Sequence, residues 1–219
     1  MTEFVVILSQ GRSGSTLLLR MLNSVPGVRI SGENNKSLDH LKAFLKCYEL
    51  ATTRHDTEFY RLAWQLPCPL ETIRRKTASF VTDLYNPDGA YRLVGFKEIR
   101  YGLSSYDDLC HDILFLRDLI PDLKVVLNTR KTETAIKSSW WAENPEQSRR
   151  FLDRSRASFE RYHREHPDHT FLIPYEDLCE GSRRIKAMFD FLGLEFRAIA
   201  FIPTPPVIRT RGSSRSIAA

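Results

Sequence analysis

The feature that most constrains this sequence is the regular alternation of short apolar segments with amphipathic helical segments. The apolar, β-branched segments span residues 4–8, 28–30, 92–98, 123–127 and 170–174. Helical patterns span residues 15–23, 107–119, 132–141, 147–164 and 183–192, and residues 38–86 are mostly helical. Parallel strands need crossover connections, which helices supply. The alternation therefore predicts a three-layer α/β fold, in which helices flank a central parallel sheet of about five strands.

Length and composition favour one globular domain over residues 1–219. The chain is 42% hydrophobic and 27% charged, and its longest apolar runs are far shorter than the roughly 18 residues of a membrane-spanning helix. No basic-then-apolar leader precedes the first strand, and the four cysteines are scattered without a CxxC pair. We therefore expect a cytoplasmic protein with reduced thiols and, over residues 204–219, a basic and flexible tail.

The charge pattern indicates neither nucleic acid nor a metal as a partner. The net charge of +5 fits a small anionic ligand as easily as nucleic acid, and no nucleic-acid-binding module is recognisable. His163, His166 and His169 recur every third residue, but Pro167 interrupts the helix that would align them. No Cys or Asp set accompanies these histidines, so we expect no metal site.

A glycine- and serine-rich turn, SQGRSGST at residues 9–16, joins the first strand to a leucine-rich helix. Glycines allow a tight turn, and the helix N-terminus then offers free amides to an anion, as in a P-loop. Aligned on Gly14, however, the lysine of GxxxxGK[ST] falls at Ser15. The fourth strand also runs into Asn128-Thr129-Arg130 rather than into an Asp that would hold magnesium. The turn predicts a site for a phosphate-like group other than ATP with magnesium, although similar turns also occur without a ligand.

Three segments resemble the sulfotransferases that use 3′-phosphoadenosine 5′-phosphosulfate (PAPS). GRSGSTLL at residues 11–18 resembles their 5′-phosphosulfate loop in the arginine form of the tyrosylprotein and carbohydrate enzymes, and residues 12–33 are similar to the tyrosylprotein family in wording and spacing. VVLNTRKTETAIKS at residues 125–138 resembles the 3′-phosphate motif. PYEDL at residues 174–178, followed by FLGL at residues 191–194, resembles the YEDL…LGL segment of the same family. The segments lie in the family's order and cover most of the chain.

The resemblance implies PAPS as cofactor, adenosine 3′,5′-bisphosphate (PAP) as product, and no metal. The residues that it assigns to the phosphosulfate loop are Gly11, Arg12, Ser13, Gly14, Ser15 and Thr16. It assigns Arg130 and Ser138 to the 3′-phosphate, although Lys131-Thr132 replaces the usual Asp-Pro pair. Tyr175 matches a position that contacts adenine, or is a half-buried core tyrosine. Arg211 and Gly212 resemble a basic loop that closes over the 3′-phosphate, or belong to the basic tail.

The chemistry of sulfuryl transfer asks for a cation at the leaving oxygen and a base for the acceptor hydroxyl. Arg12 is the expected cation, and its role is electrostatic because arginine does not give up its proton. The resemblance places the base at Glu33, which is otherwise a loop acid. The resemblance also implies that Lys97, a lysine at the end of a strand, contacts the sulfuryl oxygens, and Glu98 is the reserve base. Strand alternation points one of these two neighbours away from the site, and we expect Lys97 to face it.

The acceptor is expected to be a hydroxyl compound, most plausibly a carbohydrate such as a cell-envelope glycan or its precursor. A tyrosine acceptor is the alternative, and a P-loop nucleotide-binding protein of the kinase type, without sulfuryl transfer, is a further one. Residues 38–90 are expected to form a helical insertion on the acceptor side. Trp140-Trp141 either lines the acceptor cleft or packs in the core. The sequence does not indicate an oligomeric state.

Overall fold

A computed structural model describes residues 2–53, 68–120, 122–180 and 182–196 of the chain. Its sheet contains five strands, β1 (Glu3–Ser9), β2 (Val28–Ser31), β3 (Leu93–Glu98), β4 (Lys124–Thr129) and β5 (Thr170–Pro174). All neighbouring pairs are parallel, and the strand order is β2-β3-β1-β4-β5. The predicted three-layer α/β fold with a P-loop-like central sheet is confirmed.

Helices connect and cover the strands. They are α1 (Ser15–Asn23), α2 (Leu38–Thr53), α3 (Leu70–Tyr85), α4 (Tyr106–Leu119), α5 (Thr132–Ala135), α6 (Pro145–Glu165), α7 (Tyr175–Glu180) and α8 (Ser182–Phe191). Two short 3₁₀ helices span Arg100–Leu103 and Ser139–Ala142. Ser105 caps α4 by accepting a hydrogen bond from the Asp108 amide, and Asn144 caps α6 in the same way. No helix in the described part of the chain is long and apolar enough to cross a membrane.

The two faces of the sheet carry separate hydrophobic cores, because successive side chains of a strand point to opposite faces. On one face, Val5 and Ile7 of β1 pack in a cluster with α1 and α8, whose buried members include Leu18, Leu22 and Met188. On the other face, the cluster contains Phe4, Val6, Leu8, Val81, Ile113 and Phe159, and so joins β1 to α3, α4 and α6. This arrangement makes the three layers.

One predicted element is wrong. The helix expected over residues 132–141 ends at Ala135, and Ser138 has an extended backbone before the 3₁₀ helix. The break has a tertiary cause, since it allows the Ser138 hydroxyl to accept a hydrogen bond from Arg12 and the Trp141 ring to donate one to the Gly11 carbonyl oxygen. A continuous helix would not deliver both side chains to the same loop.

The parallel sheet places all strand carboxyl ends along one edge, where open α/β sheets bind ligands. β1 lies at the centre and pairs with β3 on one side and β4 on the other. The segments after these three strands therefore meet. They are the loop of residues 10–14, the turn at Ile99–Arg100 and the segment that begins at Arg130.

Candidate active site

The loop after β1 is shaped as an anion cradle. Arg12 and Gly14 both have left-handed backbones, with φ of 66° and 78°, and the Ser13 amide donates to the Gln10 carbonyl oxygen. Gly14 is the N-cap of α1 and offers no side-chain cap. The first-turn amides of α1 are therefore left to bind an anion, at the positive end of the helix dipole. In this turn Ser15 is buried and Thr16 is exposed.

A buried polar anchor holds the loop to the neighbouring strand β4. The Ser13 hydroxyl oxygen lies 2.6 Å from the Gln10 carbonyl oxygen and 2.6 Å from Asn128 Oδ1. The Gln10 side chain donates to the Leu152 carbonyl oxygen at 2.7 Å and accepts from the Arg130 amide at 3.0 Å. Ser13 thus directs its hydroxyl into the protein. Gln10 and Asn128, which the motif comparison did not single out, set the position of the loop.

Two tryptophans cover the start of the loop. The Trp141 ring N–H donates to the Gly11 carbonyl oxygen at 2.8 Å, and Trp140 stacks on Trp141 with ring centroids 4.6 Å apart. A Cβ on Gly11 would lie 2.5 Å from the Trp140 ring, so only glycine fits under it. Trp141 is buried, whereas Trp140, which lies against Gly11, remains 37% exposed. Trp141 therefore packs in the core, and Trp140 presents an aromatic surface next to the loop.

Tyr175 and Arg130 cover the other end of the loop. A Cβ on Gly14 would lie 2.3 Å from the Tyr175 ring, and the Arg130 guanidinium lies 4.4 Å from the centroid of the same ring. A hydrogen bond with the Cys179 thiol raises the pKa of Tyr175, and the Arg130 charge opposes this. Tyr175, the first residue of α7, therefore packs directly on Gly14, the residue that precedes α1.

Arg12, Arg130 and Ser138 form one hydrogen-bonded group, although the two motifs that contain them are far apart in sequence. Arg12 Nε donates to the Ser138 hydroxyl at 3.1 Å. Arg130 Nη1 donates to the Arg12 carbonyl oxygen at 2.9 Å, and its Nε donates to Thr134 Oγ1 at 3.1 Å. Two guanidinium groups therefore converge on the loop and concentrate positive charge there.

A second group lies at the ends of β2 and β3. Lys97 is buried and its ammonium group forms an ion pair with the Glu33 carboxylate. Arg100 Nη1 lies 3.5 Å from the other carboxylate oxygen of Glu33, whose side chain is 34% exposed. Lys97 pairs in register with Ile7 of β1, two residues before that strand ends. Its side chain is on the sheet face that α1 covers, as alternation with Phe96 requires.

Glu98 points to the opposite face and is fully buried. Its Oε1 accepts hydrogen bonds from the Ile99 amide, the Arg100 amide and Arg100 Nη1, at 2.9, 3.2 and 3.0 Å. Its Oε2 accepts from the Lys36 amide at 3.2 Å. Burial opposes ionisation, but these hydrogen bonds outweigh it and lower the pKa of Glu98. The prediction that Lys97 and Glu98 face opposite ways is confirmed, and Glu98 accepts hydrogen bonds from four donors of the protein.

The structure brings most of the predicted site residues together in these two groups. Arg211 and Gly212 lie outside the described residues, as does the tail of residues 204–219. Arg100 was not predicted, and its position directly after the strand that carries Lys97 is the only sequence signal that indicates it. In the described part of the chain, no group of His, Cys, Asp or Glu side chains is arranged to hold a metal ion. His169 instead contacts Asp168 and Tyr162.

A separate cavity of about 510 Å³ opens between α2, α3 and α4. Its lining includes Lys42, Arg74, His111 and Phe115. None of the predicted site residues is among those that line it, so the cavity is distinct from the loop site.

Comparison with known proteins gives one family. The family model described as "Sulfotransferase family" matches residues 5–198, which is most of the chain. No curated protein matches the sequence with significance.

Several solved structures are similar at low identity. A sugar kinase from Janibacter sp. HTCC2649 is 14% identical, with a TM-score of 0.43 over 89% of this chain and 96% of that chain. Thymidylate kinase from Candida albicans is 12% identical, with a TM-score of 0.47 over 88% and 92%. The YorR protein from Bacillus subtilis is 14% identical, with a TM-score of 0.44 over 87% and 95%.

Proposed function

The chain belongs to a sulfotransferase family, and we propose that it transfers the sulfuryl group of PAPS to a hydroxyl acceptor. The observation that carries the proposal is the meeting of the two nucleotide motifs. Arg12 of the loop donates to Ser138, and Arg130 donates to the Arg12 carbonyl oxygen. One anionic ligand with phosphates at two ends would be bound by such a pair of motifs.

The residues present fit PAPS. The uncapped start of α1 and the left-handed turn at Gly14 provide amides for the 5′-phosphosulfate group. Arg130 provides a planar set of donors for the 3′-phosphate, with the Ser138 hydroxyl beside it. Ser15 replaces the lysine that would hold a triphosphate. When bound, PAPS supplies the sulfuryl group and leaves as PAP.

The reaction needs three side chains of this chain in addition to the loop amides. Arg12 stabilises the negative charge that develops on the leaving phosphate oxygen, as a hydrogen-bonding cation. Glu33 takes the proton of the acceptor hydroxyl on its carboxylate as the oxygen attacks. Lys97 holds the Glu33 carboxylate at the strand end and supplies positive charge for the sulfuryl oxygens. Glu98 is excluded from the role of base in this proposal because all its hydrogen bonds are already directed at the protein.

We propose a carbohydrate as the acceptor, with a tyrosine side chain as the alternative. The partly exposed ring of Trp140 against Gly11 supports a cyclic acceptor that packs one apolar face on the indole. Helices α2 and α3 would form the acceptor side. The four free cysteines support a reducing compartment such as the cytoplasm. Radiolabelled PAPS incubated with a panel of saccharides and with a tyrosine-containing peptide separates the two acceptor classes by the product that becomes labelled.

The experiment that tests the nucleotide site is calorimetric titration with PAP in EDTA, beside ATP with magnesium. We expect metal-independent binding of PAP that weakens about 10- to 100-fold in Arg130→Ala, because a hydrogen bond to a charged group is worth about 1.5–3 kcal/mol. Arg161→Ala is the matched control, since Arg161 also stacks on a tyrosine, 3.9 Å from the Tyr106 ring centroid, but lies on α6. Binding of ATP with magnesium in place of PAP would contradict the proposal and support a kinase-like protein.

A further inference from the structure

The buried carboxylate of Glu98 connects two backbone segments that flank Glu33. Its Oε2 accepts from the Lys36 amide, three residues after Glu33 in the loop that follows β2. Its Oε1 accepts from the Ile99 and Arg100 amides in the turn that follows β3. A carboxylate with no exposed surface, whose hydrogen-bond partners all belong to the protein, is not open to a substrate. Its contacts indicate that it holds the protein around the site.

The loop that carries Glu33 needs such support because its backbone is unusual. Asn35 and Lys36 both have left-handed backbones, with φ of 60° and 55°, which side chains with a Cβ seldom adopt. Such residues persist only where the surrounding structure over-determines them. Here the Asn34 side chain and Glu98 both accept from the Lys36 amide, and the Lys36 ammonium group pairs with Asp39 and Asp112 at 3.1 Å each.

Arg100 provides the second connection from Glu98 to Glu33. Its Nη1 donates to Glu98 Oε1 at 3.0 Å and also lies 3.5 Å from Glu33 Oε2. The Arg100 side chain is itself 41% exposed, so burial alone does not fix its position. The charge of Glu98 therefore holds this guanidinium on the side of Glu33 that is opposite to Lys97.

We propose that Glu98 is a positioning residue, which holds the loop of residues 33–36 and the Arg100 side chain so that Glu33 stays in place beside Lys97. The inference rests on the proposed function, in which Glu33 is the base. It adds a residue that acts only through another residue and does not touch the substrate.

The first arm of the test measures amide hydrogen exchange by NMR and needs no activity. In Glu98→Gln, an NH₂ group, which donates but does not accept hydrogen bonds, replaces one carboxylate oxygen. The single remaining oxygen cannot accept from both backbone segments. We expect the Lys36 amide, or the Ile99 and Arg100 amides, to exchange at least about 10-fold faster than in wild type. The control is Asn86→Ala, which breaks buried hydrogen bonds to Tyr91 before the opposite end of β3 and should leave these three amides unchanged.

The second arm is a double-mutant cycle on turnover, measured with PAPS and the fastest acceptor of the saccharide and peptide panel. We expect Glu98→Gln to lower kcat about 10- to 100-fold with an unchanged affinity for PAP, because misplacement of a reacting group by about 1 Å costs that much. In a Glu33→Gln background the same change should have no further effect, because its action is through Glu33. A general loss of structure caused by Glu98→Gln would lower kcat in both backgrounds.

The outcomes separate this inference from the proposed function. Wild-type exchange rates at all three amides in Glu98→Gln, an unchanged kcat, or an equal loss with and without Glu33 would each overturn the positioning role. If Glu98→Gln does not fold, Arg100→Ala cuts the side-chain connection alone and should give a smaller loss of kcat that also disappears in the Glu33→Gln background. Absence of turnover by wild type with every acceptor would contradict sulfuryl transfer, and the exchange arm alone would then decide the role of Glu98.

Discussion

At the scale of single residues, Glu33 and Glu98 are the same side-chain type in two different environments. Glu33 follows β2 and Glu98 is the last residue of β3, at the same edge of the sheet. Glu33 keeps 34% of its side chain exposed and faces two cations, Lys97 and Arg100. Glu98 has no exposed surface, and three backbone amides and the Arg100 guanidinium donate to it. These surroundings are the basis for proposing Glu33 as the base and Glu98 as a support for its neighbours.

Gly14 gives a prediction at the same scale. It has a φ of 78° and lies against the Tyr175 ring, while Gly89 has a φ of 63° with open space at the Cβ position. Gly89→Ala should therefore lose only the backbone strain, about 1–2 kcal/mol of the free energy of unfolding. Gly14→Ala adds a collision with Tyr175, so a loss of about 3 kcal/mol or more is expected, together with loss of PAP binding.

Urea denaturation of both variants and calorimetry with PAP make this comparison. Equal losses of stability in the two variants, or full PAP binding by Gly14→Ala, would contradict the close contact between Gly14 and Tyr175.

At the scale of elements, β3 and the segment after β4 show two different ways to deliver side chains. β3 uses its regular alternation, which sends Lys97 to the α1 face and Glu98 to the face of α4. The segment after β4 instead abandons regular structure, since α5 stops at Ala135 and a 3₁₀ helix begins at Ser139. The irregular segment is the one that contacts the loop through Ser138 and Trp141.

Helix α4 has a buried face and an exposed face, and a leucine-to-alanine substitution on each face tests this orientation. Leu116 is 1% exposed in the core of the α4 face, and Leu114 is 55% exposed beside the cavity between α2, α3 and α4. We expect Leu116→Ala to lower the free energy of unfolding by about 2–5 kcal/mol, and Leu114→Ala to change it by no more than about 0.5 kcal/mol. Chemical denaturation measures both. Similar losses in the two variants would contradict the orientation of α4.

At the scale of the whole molecule, buried and half-buried titratable groups make stability depend on pH. Burial lowers the pKa of His169 and of His163 below the ordinary value of 6.5, at the junction of α6 and β5. The pKa of Glu98 is lowered below its ordinary value of 4.5 by its hydrogen bonds, against the effect of burial. In each case the unfolded chain binds the proton more readily than the folded chain does. Stability is therefore lost as the pH falls.

The melting temperature should accordingly fall in two stages with decreasing pH. The histidines contribute their full stabilisation above pH 6.5 and lose it as the pH falls below that value. Glu98 contributes above pH 4.5 and loses its stabilisation below it. Thermal unfolding across this range should show a shallower first stage in His169→Gln and a shallower second stage in Glu98→Gln. An unchanged slope in either variant would contradict the assignment of that stage.

Local patterns in the sequence determined the succession of strands and helices and the glycine-rich turn after β1. These features follow from periodicity and from the conformational freedom of glycine, which act over a few residues. The candidates Arg12, Glu33, Lys97, Arg130 and Ser138 came from the resemblance to sulfotransferases together with the needs of sulfuryl transfer. Only the tertiary structure decided that α5 breaks, that Tyr175 covers Gly14, and that four donors of the protein surround Glu98.

The physical reason is the distance in sequence between partners. The Lys36 amide is 62 residues from Glu98, and Ser138 is 126 residues from Arg12. Whether a buried carboxylate is satisfied depends on which donors the folded chain brings to it, and no pattern around the residue itself records those donors.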